Sequence, residues 1–182
     1  MKPLINLLFE ARKLKHIPRS GYQFLEAGKE TVAEHCFLAT FIGYIMARMN
    51  PEVDADRVIR LCLLHDLPES RIGDLNYVQK RYLAADEARA MEDAASNVPF
   101  GGEITALLAE FNAAETPEAE LARDADQIAF ILDLKALIDS GNVNAEKWMR
   151  HVAGRLRTQT AKELCNAIAD TDSDAWWRTF VG

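Results

Sequence analysis

Apolar residues recur along this chain at intervals of three and four, and no stretch alternates apolar and polar positions for long enough to predict a strand. The pattern predicts helices near 3–15, 31–49, 52–65, 75–95, 102–113, 117–140, 144–157, 160–170 and 173–180. Several carry start signals. Thr31-Val32-Ala33-Glu34 and Thr160-Ala161-Lys162-Glu163 read as capping boxes. Asn50-Pro51 and Thr116-Pro117 each set a cap residue before a proline at the first helical position, and Gly141-Asn142 ends one helix where Asn144 can cap the next. The segment from His16 to Glu30, with Pro18, Gly21 and Gly28, reads as an ordered loop. With no repeat, low-complexity tract or linker, residues 1–182 are expected to form one all-α domain.

Placing the titratable residues on these helices changes the picture. His35 shares a face with Leu38, Ala39, Ile42 and Met46, and His65 shares one with Val58, Leu61 and Cys62, with Asp66 following at the helix end. Asp126 lines up with Ala122, Ala129 and Phe130, while Asp124 two residues earlier is its rival for any role. Two histidines and two carboxylates thus face an apolar interior from three helices. A buried carboxylate is costly alone, so such groups pair or bind a metal.

Composition bounds the function. The chain has 182 residues, 49% of them hydrophobic and 27% charged, which suits one globular domain and excludes disorder. Its apolar runs are too short to span a bilayer, and the run near Leu4–Phe9 lacks a signal-peptide cleavage site. The net charge of −7 argues against a nucleic-acid polymer as partner but admits a small anion if the site brings its own cations. Cys36, Cys62 and Cys165 sit among apolar neighbours and read as reduced core thiols of a cytoplasmic protein.

Taken in order, Glu30-Thr31-Val32-Ala33-Glu34-His35, Leu63-Leu64-His65-Asp66-Leu67-Pro68-Glu69, Ile72-Gly73-Asp74-Leu75 and Asp124-Ala125-Asp126 resemble the HD-domain phosphohydrolases. They are most similar to the 5′-deoxynucleotidase branch of that family. The resemblance covers roughly residues 12 to 140 and extends to the loop Leu14–Tyr22, where Tyr22 stands in place of the usual Trp.

The resemblance implies an all-α HD bundle with a metal site between its core helices. It implies His35, His65, Asp66 and Asp126 as ligands of one divalent ion. A mixed nitrogen and oxygen set suits octahedral Mn²⁺, Co²⁺ or Fe²⁺, with Mg²⁺, Ni²⁺ or Zn²⁺ as alternatives. Glu69 and Asp74 match the acidic pair that positions water and moves protons, and Arg19 matches the phosphate-contacting arginine. The implied activity is removal of the 5′-phosphate from deoxyribonucleoside monophosphates. Another HD activity, on a diester or a triphosphate, is the alternative, as is a non-catalytic metal- or nucleotide-binding module. The resemblance also implies a homodimer, and residues 144–180 with Trp148, Trp176 and Trp177 are expected to serve packing or dimer contacts. Arg71, Glu118, Lys29 and Lys80 read as surface or helix-end residues.

Overall fold

A buried central helix organises the chain. In the computed structural model, which describes residues 1–181, the α-helices are α1 (Lys2–Lys13), α2 (Val32–Met49), α3 (Ala55–Leu64), α4 (Glu69–Ile72), α5 (Glu87–Ala95), α6 (Gly101–Ala113), α7 (Pro117–Asp139), α8 (Val143–Ala153), α9 (Gln159–Ala169) and α10 (Ala175–Arg178). No strand occurs among the described residues; the closest approach is one antiparallel bridge between Pro18 and Thr31.

Helix α7 is buried on nearly every side, as its apolar residues on several faces require. Ala119, Ala122, Ala125 and Ala129 let neighbouring backbones approach, while Leu121, Ile128, Ile131 and Leu134 fill the volume between them. Helices α2 and α3 pack on α7 and on each other around Met46, Val58 and Leu61. Their crossing is close at Gly43, where a Cβ would lie 2.6 Å from Cys62 Sγ. Helices α8 and α9 and the turn between them cover the other side of α7 with Ala145, Val152, Leu156, Ala161 and Cys165. A second cluster, including Leu7, Leu14, Val32, Leu67, Met91 and Leu108, ties α1, α5 and α6 to the start of α2.

The boundaries differ from the sequence expectation where side chains compete with the backbone. The span 75–95 is not one helix. Asn76 Oδ1 accepts from the Val78 and Gln79 amides, and Gln79 Oε1 accepts from the Asn76 amide, so the chain closes on itself in a turn. Only a short 3₁₀ turn at Gln79–Arg81 and helix α5, capped by Asp86, form there. Asn50 does not start α3, since its side chain donates to Met46 O and Thr160 Oγ1; Asp54 caps that helix instead. The same bond occupies Thr160, and Thr158 caps α9. Asn142, rather than Asn144, caps α8. The capping box at Thr31 and Glu34 and the Thr116–Pro117 start form as expected. No helix is long and apolar enough to cross a membrane, and the three cysteines are buried and free.

Candidate metal-centred active site

Helices α2, α3 and α7 converge on a polar cluster inside this apolar frame. His35 comes from the second turn of α2 and is fully buried. His65 caps the C-terminus of α3, and Asp66 follows where the chain leaves that helix. Asp126 projects from the middle of α7. The four residues meet: His35 Nε2 is 2.9 Å from Asp126 Oδ1 and 3.8 Å from Asp66 Oδ2, and His65 Nε2 is 3.2 Å from Asp66 Oδ2 and 3.9 Å from Asp126 Oδ1.

The donor set fits a divalent ion. Nδ1 of His65 bonds to the Cys62 carbonyl at 2.7 Å, which fixes the proton on Nδ1 and turns Nε2 inward. That buried Nε2 faces Asp66 and Asp126 without a well-formed hydrogen bond, so it either carries a proton held by their charge or gives its lone pair to a divalent ion that replaces that proton. Asp124, the sequence rival of Asp126, lies elsewhere. Its carboxylate accepts from Arg157 N, Thr158 N and Thr158 Oγ1 and pins the turn between α8 and α9. Cys36, which the sequence reading placed simply in the core, presents its sulfur within 4.8 Å of ligand atoms of His65 and Asp66. Burial holds its thiol above the usual range, so it faces the cluster neutral.

Arg19 reaches this cluster from the loop before α2. The loop is tied to the helix start by Arg19 N donating to Glu30 O and by Val32 N donating to Ile17 O, each at 2.9 Å. Nη1 of Arg19 donates to Asp66 Oδ2 at 3.1 Å and lies 3.8 Å from Asp74 Oδ2, and Nη2 lies 4.0 Å from Asp126 Oδ1. Burial opposes its charge, but the carboxylates around it prevail and keep the guanidinium protonated. Asp74 follows the left-handed turn at Gly73 and accepts from the Ser20 amide at 2.8 Å, so it holds the loop that carries Arg19 rather than capping a helix. Glu69 opens the short helix α4 with Oε2 buried and unpartnered.

The carboxyls diverge in acidity. Burial, then the charges of Asp66 and Asp74, push Glu69 up to about 9. Burial works against ionising Asp66, yet His65 and Arg19 hold it at about 2. Asp126 is lowered further by its bond to His35 and by the neighbouring cations, despite burial. Burial alone would lower His65, but Asp66 and Asp126 raise it to about 9. Burial and neighbouring charge thus hold Glu69 toward its neutral form, while Asp66 and Asp126 are held toward the ionised one.

Two contributors escaped sequence reasoning. Glu30 Oε2, buried without a hydrogen-bond partner, lies 3.8 Å from the unpartnered Nδ1 of His35 and 3.9 Å from Arg19 Nε. Its position before the helix cap gives it no periodicity to read. Asp133 accepts from Tyr22 Oη at 2.5 Å, and its seven-residue spacing from Asp126 along α7 is the signal that could have found it. Other residues stand apart from the cluster. Arg71 pairs with Glu10 at 2.7 Å, and Glu118 Oε1 accepts from the Asp54 amide at 3.0 Å. Lys80 is exposed, as expected, at the rim of the pocket.

That pocket has a volume of about 260 Å³ and opens beside the cluster. Arg19, Asp66, Glu69, Asp74 and Asp126 form its floor, while Tyr77, Gln127 and Phe130 rise toward the mouth. Trp148 is a packing residue here, since it stacks on Phe24 and contacts Tyr77 and Phe130 behind this wall. Trp176 and Trp177 are exposed on α10.

Residues 11–168 match the HD domain family, described as "HD domain". The chain belongs to the HD-domain family. Over 182 aligned residues it is 25% identical to the 5′-deoxynucleotidase HDDC2 of Xenopus laevis, covering 96% of this chain and 90% of that protein. A conserved hypothetical protein from Pyrococcus furiosus superposes with a TM-score of 0.77 at 28% identity, covering 92% of this HD-domain chain and 99% of the other. The cyanophage S-2L HD phosphohydrolase DatZ, bound to dA and one catalytic Zn²⁺, shares the fold at a TM-score of 0.58 and 20% identity, covering 90% and 96% of the two chains.

Proposed function

We propose that this HD-domain protein is a metal-dependent phosphohydrolase that removes the 5′-phosphate from deoxyribonucleoside monophosphates. The observation that carries the reading is the buried Nε2 of His65 facing Asp66, Asp126 and His35, with the Glu69 carboxyl and the Arg19 guanidinium on the same pocket floor. His35, His65, Asp66 and Asp126 would hold one ion, Mn²⁺, Co²⁺ or Fe²⁺ by donor type. A bound divalent ion supplies Lewis acidity toward a phosphate oxygen and lowers the pKa of a neighbouring water molecule.

The remaining steps belong to the chain's own groups. Arg19 offers a planar pair of donors to the phosphate dianion and neutralises charge among the carboxylates. Glu69, which burial and the charges of Asp66 and Asp74 hold toward its protonated form, would give its proton to the departing sugar oxygen. Asp74 fixes the Arg19 loop through Ser20 and faces the pocket beside Asn76 and Tyr77, where the sugar would lie.

The free outer face of α2 supports a homodimer. Phe37, Phe41 and Tyr44 are exposed there beside Leu63 of α3, around an apolar groove of about 560 Å³. This face, rather than residues 144–180, is the one we assign to a second copy. Three free buried cysteines support a cytoplasmic location.

Phosphate release from paired deoxy- and ribonucleoside 5′-monophosphates tests the reading, using chelator-stripped protein with single metals restored. Metal-dependent release from the deoxy series is expected. Release only from diesters or triphosphates would select another HD activity, and none at all would select a binding module.

A further inference from the structure

The pocket has two ends of opposite character. Its floor gathers four carboxylates around Arg19, whereas Lys80, Arg123 and Arg155 line the mouth with no carboxylate in ion-pair range among the described residues. No carboxylate is among the partners of Arg155. Its Nη1 donates to Tyr77 Oη at 2.7 Å and to Gln127 Oε1 at 3.5 Å, its Nη2 meets His151 Nε2 at 2.7 Å, and its guanidinium lies 5.2 Å from the Tyr77 ring centre. Arg123 rests over Phe111 and donates to the Asn112 carbonyl.

A recess of about 360 Å³ adjoins the mouth, sharing Arg123, Gln127 and Arg155 with the pocket and adding Arg157, which is already paired with Glu120 at 3.7 Å. Its own carboxylate, Asp124, is buried and saturated by Arg157 N, Thr158 N and Thr158 Oγ1. The same bonds dock the turn that carries Arg155 over the pocket. Gln127 links the two ends, since its Nε2 donates to Asp126 Oδ2 at 2.7 Å while its Oε1 meets Arg155. The uncompensated charge thus stands one side chain away from the proposed metal centre.

A neutral base requires no net charge from its site, whereas a second phosphate does. We infer that the mouth binds a second phosphate carried by the ligand itself, so that deoxynucleoside 3′,5′-bisphosphates are preferred to the corresponding 5′-monophosphates. Arg155 is the main contact, with Arg123 and Lys80 beside it. This inference rests on the monophosphatase reading for the placement of the 5′-phosphate at the pocket floor.

Calorimetry on Mn²⁺-loaded Glu69→Gln protein, titrated with deoxyadenosine 5′-monophosphate and with its 3′,5′-bisphosphate, tests it. One charge-assisted contact predicts binding of the bisphosphate about tenfold tighter, an advantage that shrinks with added salt. In the Arg155→Gln and Arg123→Gln backgrounds the ratio of the two dissociation constants should fall toward one, with melting temperatures confirming that both variants fold. Equal affinities in the parent protein would overturn the inference. So would equal weakening of both ligands by Arg155→Gln, which would make that residue a pocket wall. Tighter monophosphate binding in the presence of inorganic phosphate, without a bisphosphate preference, would also overturn it by showing a separate anion. Wild-type release from the monophosphate is measured in parallel, so its failure would sink the proposed activity while the affinity ratio is still read.

Discussion

Glu30→Gln separates metal affinity from fold stability. Glu30 Oε2 and His35 Nδ1 are both buried and unpartnered at 3.8 Å, and a ligand imidazole is ordinarily oriented by a carboxylate on its other nitrogen. With an ion held by His35 through Nε2, the ring proton would sit on Nδ1 facing that carboxylate, so the contact would strengthen on loading. Losing such a partner costs about 10- to 100-fold in metal affinity, or about 1.4–2.7 kcal/mol. Gln keeps the shape and an acceptor, so it should fall near tenfold, and Glu30→Ala near the upper end. Stability moves the other way. Burial, then Asp133, push Glu30 up to about 8, against an unfolded value near 4.5. Because the folded value is the higher one, the metal-free protein loses stability through this carboxyl as pH rises from about 4.5 to about 8, and the Gln variant escapes that loss. Co²⁺ titration followed by visible absorption gives the dissociation constant, and melting of the metal-free protein at pH 8 gives the stability. Wild-type Co²⁺ affinity in both variants would refute the assignment of Glu30 to His35.

Other residues make separable predictions. Glu69→Gln should lower kcat by about 10²- to 10⁴-fold. Activity that needs the protonated form falls as pH rises through the pKa of Glu69, so this alkaline decline in kcat should vanish in the variant; its persistence would move the acid elsewhere. Asp124→Ala leaves three buried donors unpaired and should cost about 3 kcal/mol or more, a drop of roughly 10 °C in Tm by calorimetry. Phe41→Glu on the exposed face of α2 should convert a dimer to a monomer in sedimentation, with the far-UV spectrum unchanged.

The all-α class and the long core helices were legible because their apolar spacing agrees with their burial. Helix α7 illustrates this, since its Thr116 cap, Pro117 start and run of alanines all act where the sequence places them. The boundaries at Asn50, Asn76 and Thr160 were not, because each of these side chains bonds a partner fixed by the tertiary fold or by a local turn. Helix faces pointed His35, His65 and Asp126 inward, and the resemblance to the HD family joined them with Asp66 in one expected site. The separation of Asp124 from Asp126 did not, because only the folded α8–α9 turn shows which carboxylate is already saturated. Glu30 and Arg155 stayed hidden for a related reason. Both sit in connecting segments, where no period constrains direction and only the assembled pocket shows what they face.

Metal stoichiometry of turnover tests the central claim most directly. Chelator-stripped protein would be titrated with Mn²⁺ or Co²⁺ while phosphate release from a deoxyribonucleoside 5′-monophosphate is followed, in wild type and in Asp126→Ala. The account predicts release that rises linearly to one ion per chain and then stops rising, and no metal-dependent release in the variant. Full activity in stripped protein, or full activity and metal content in Asp126→Ala, would contradict it.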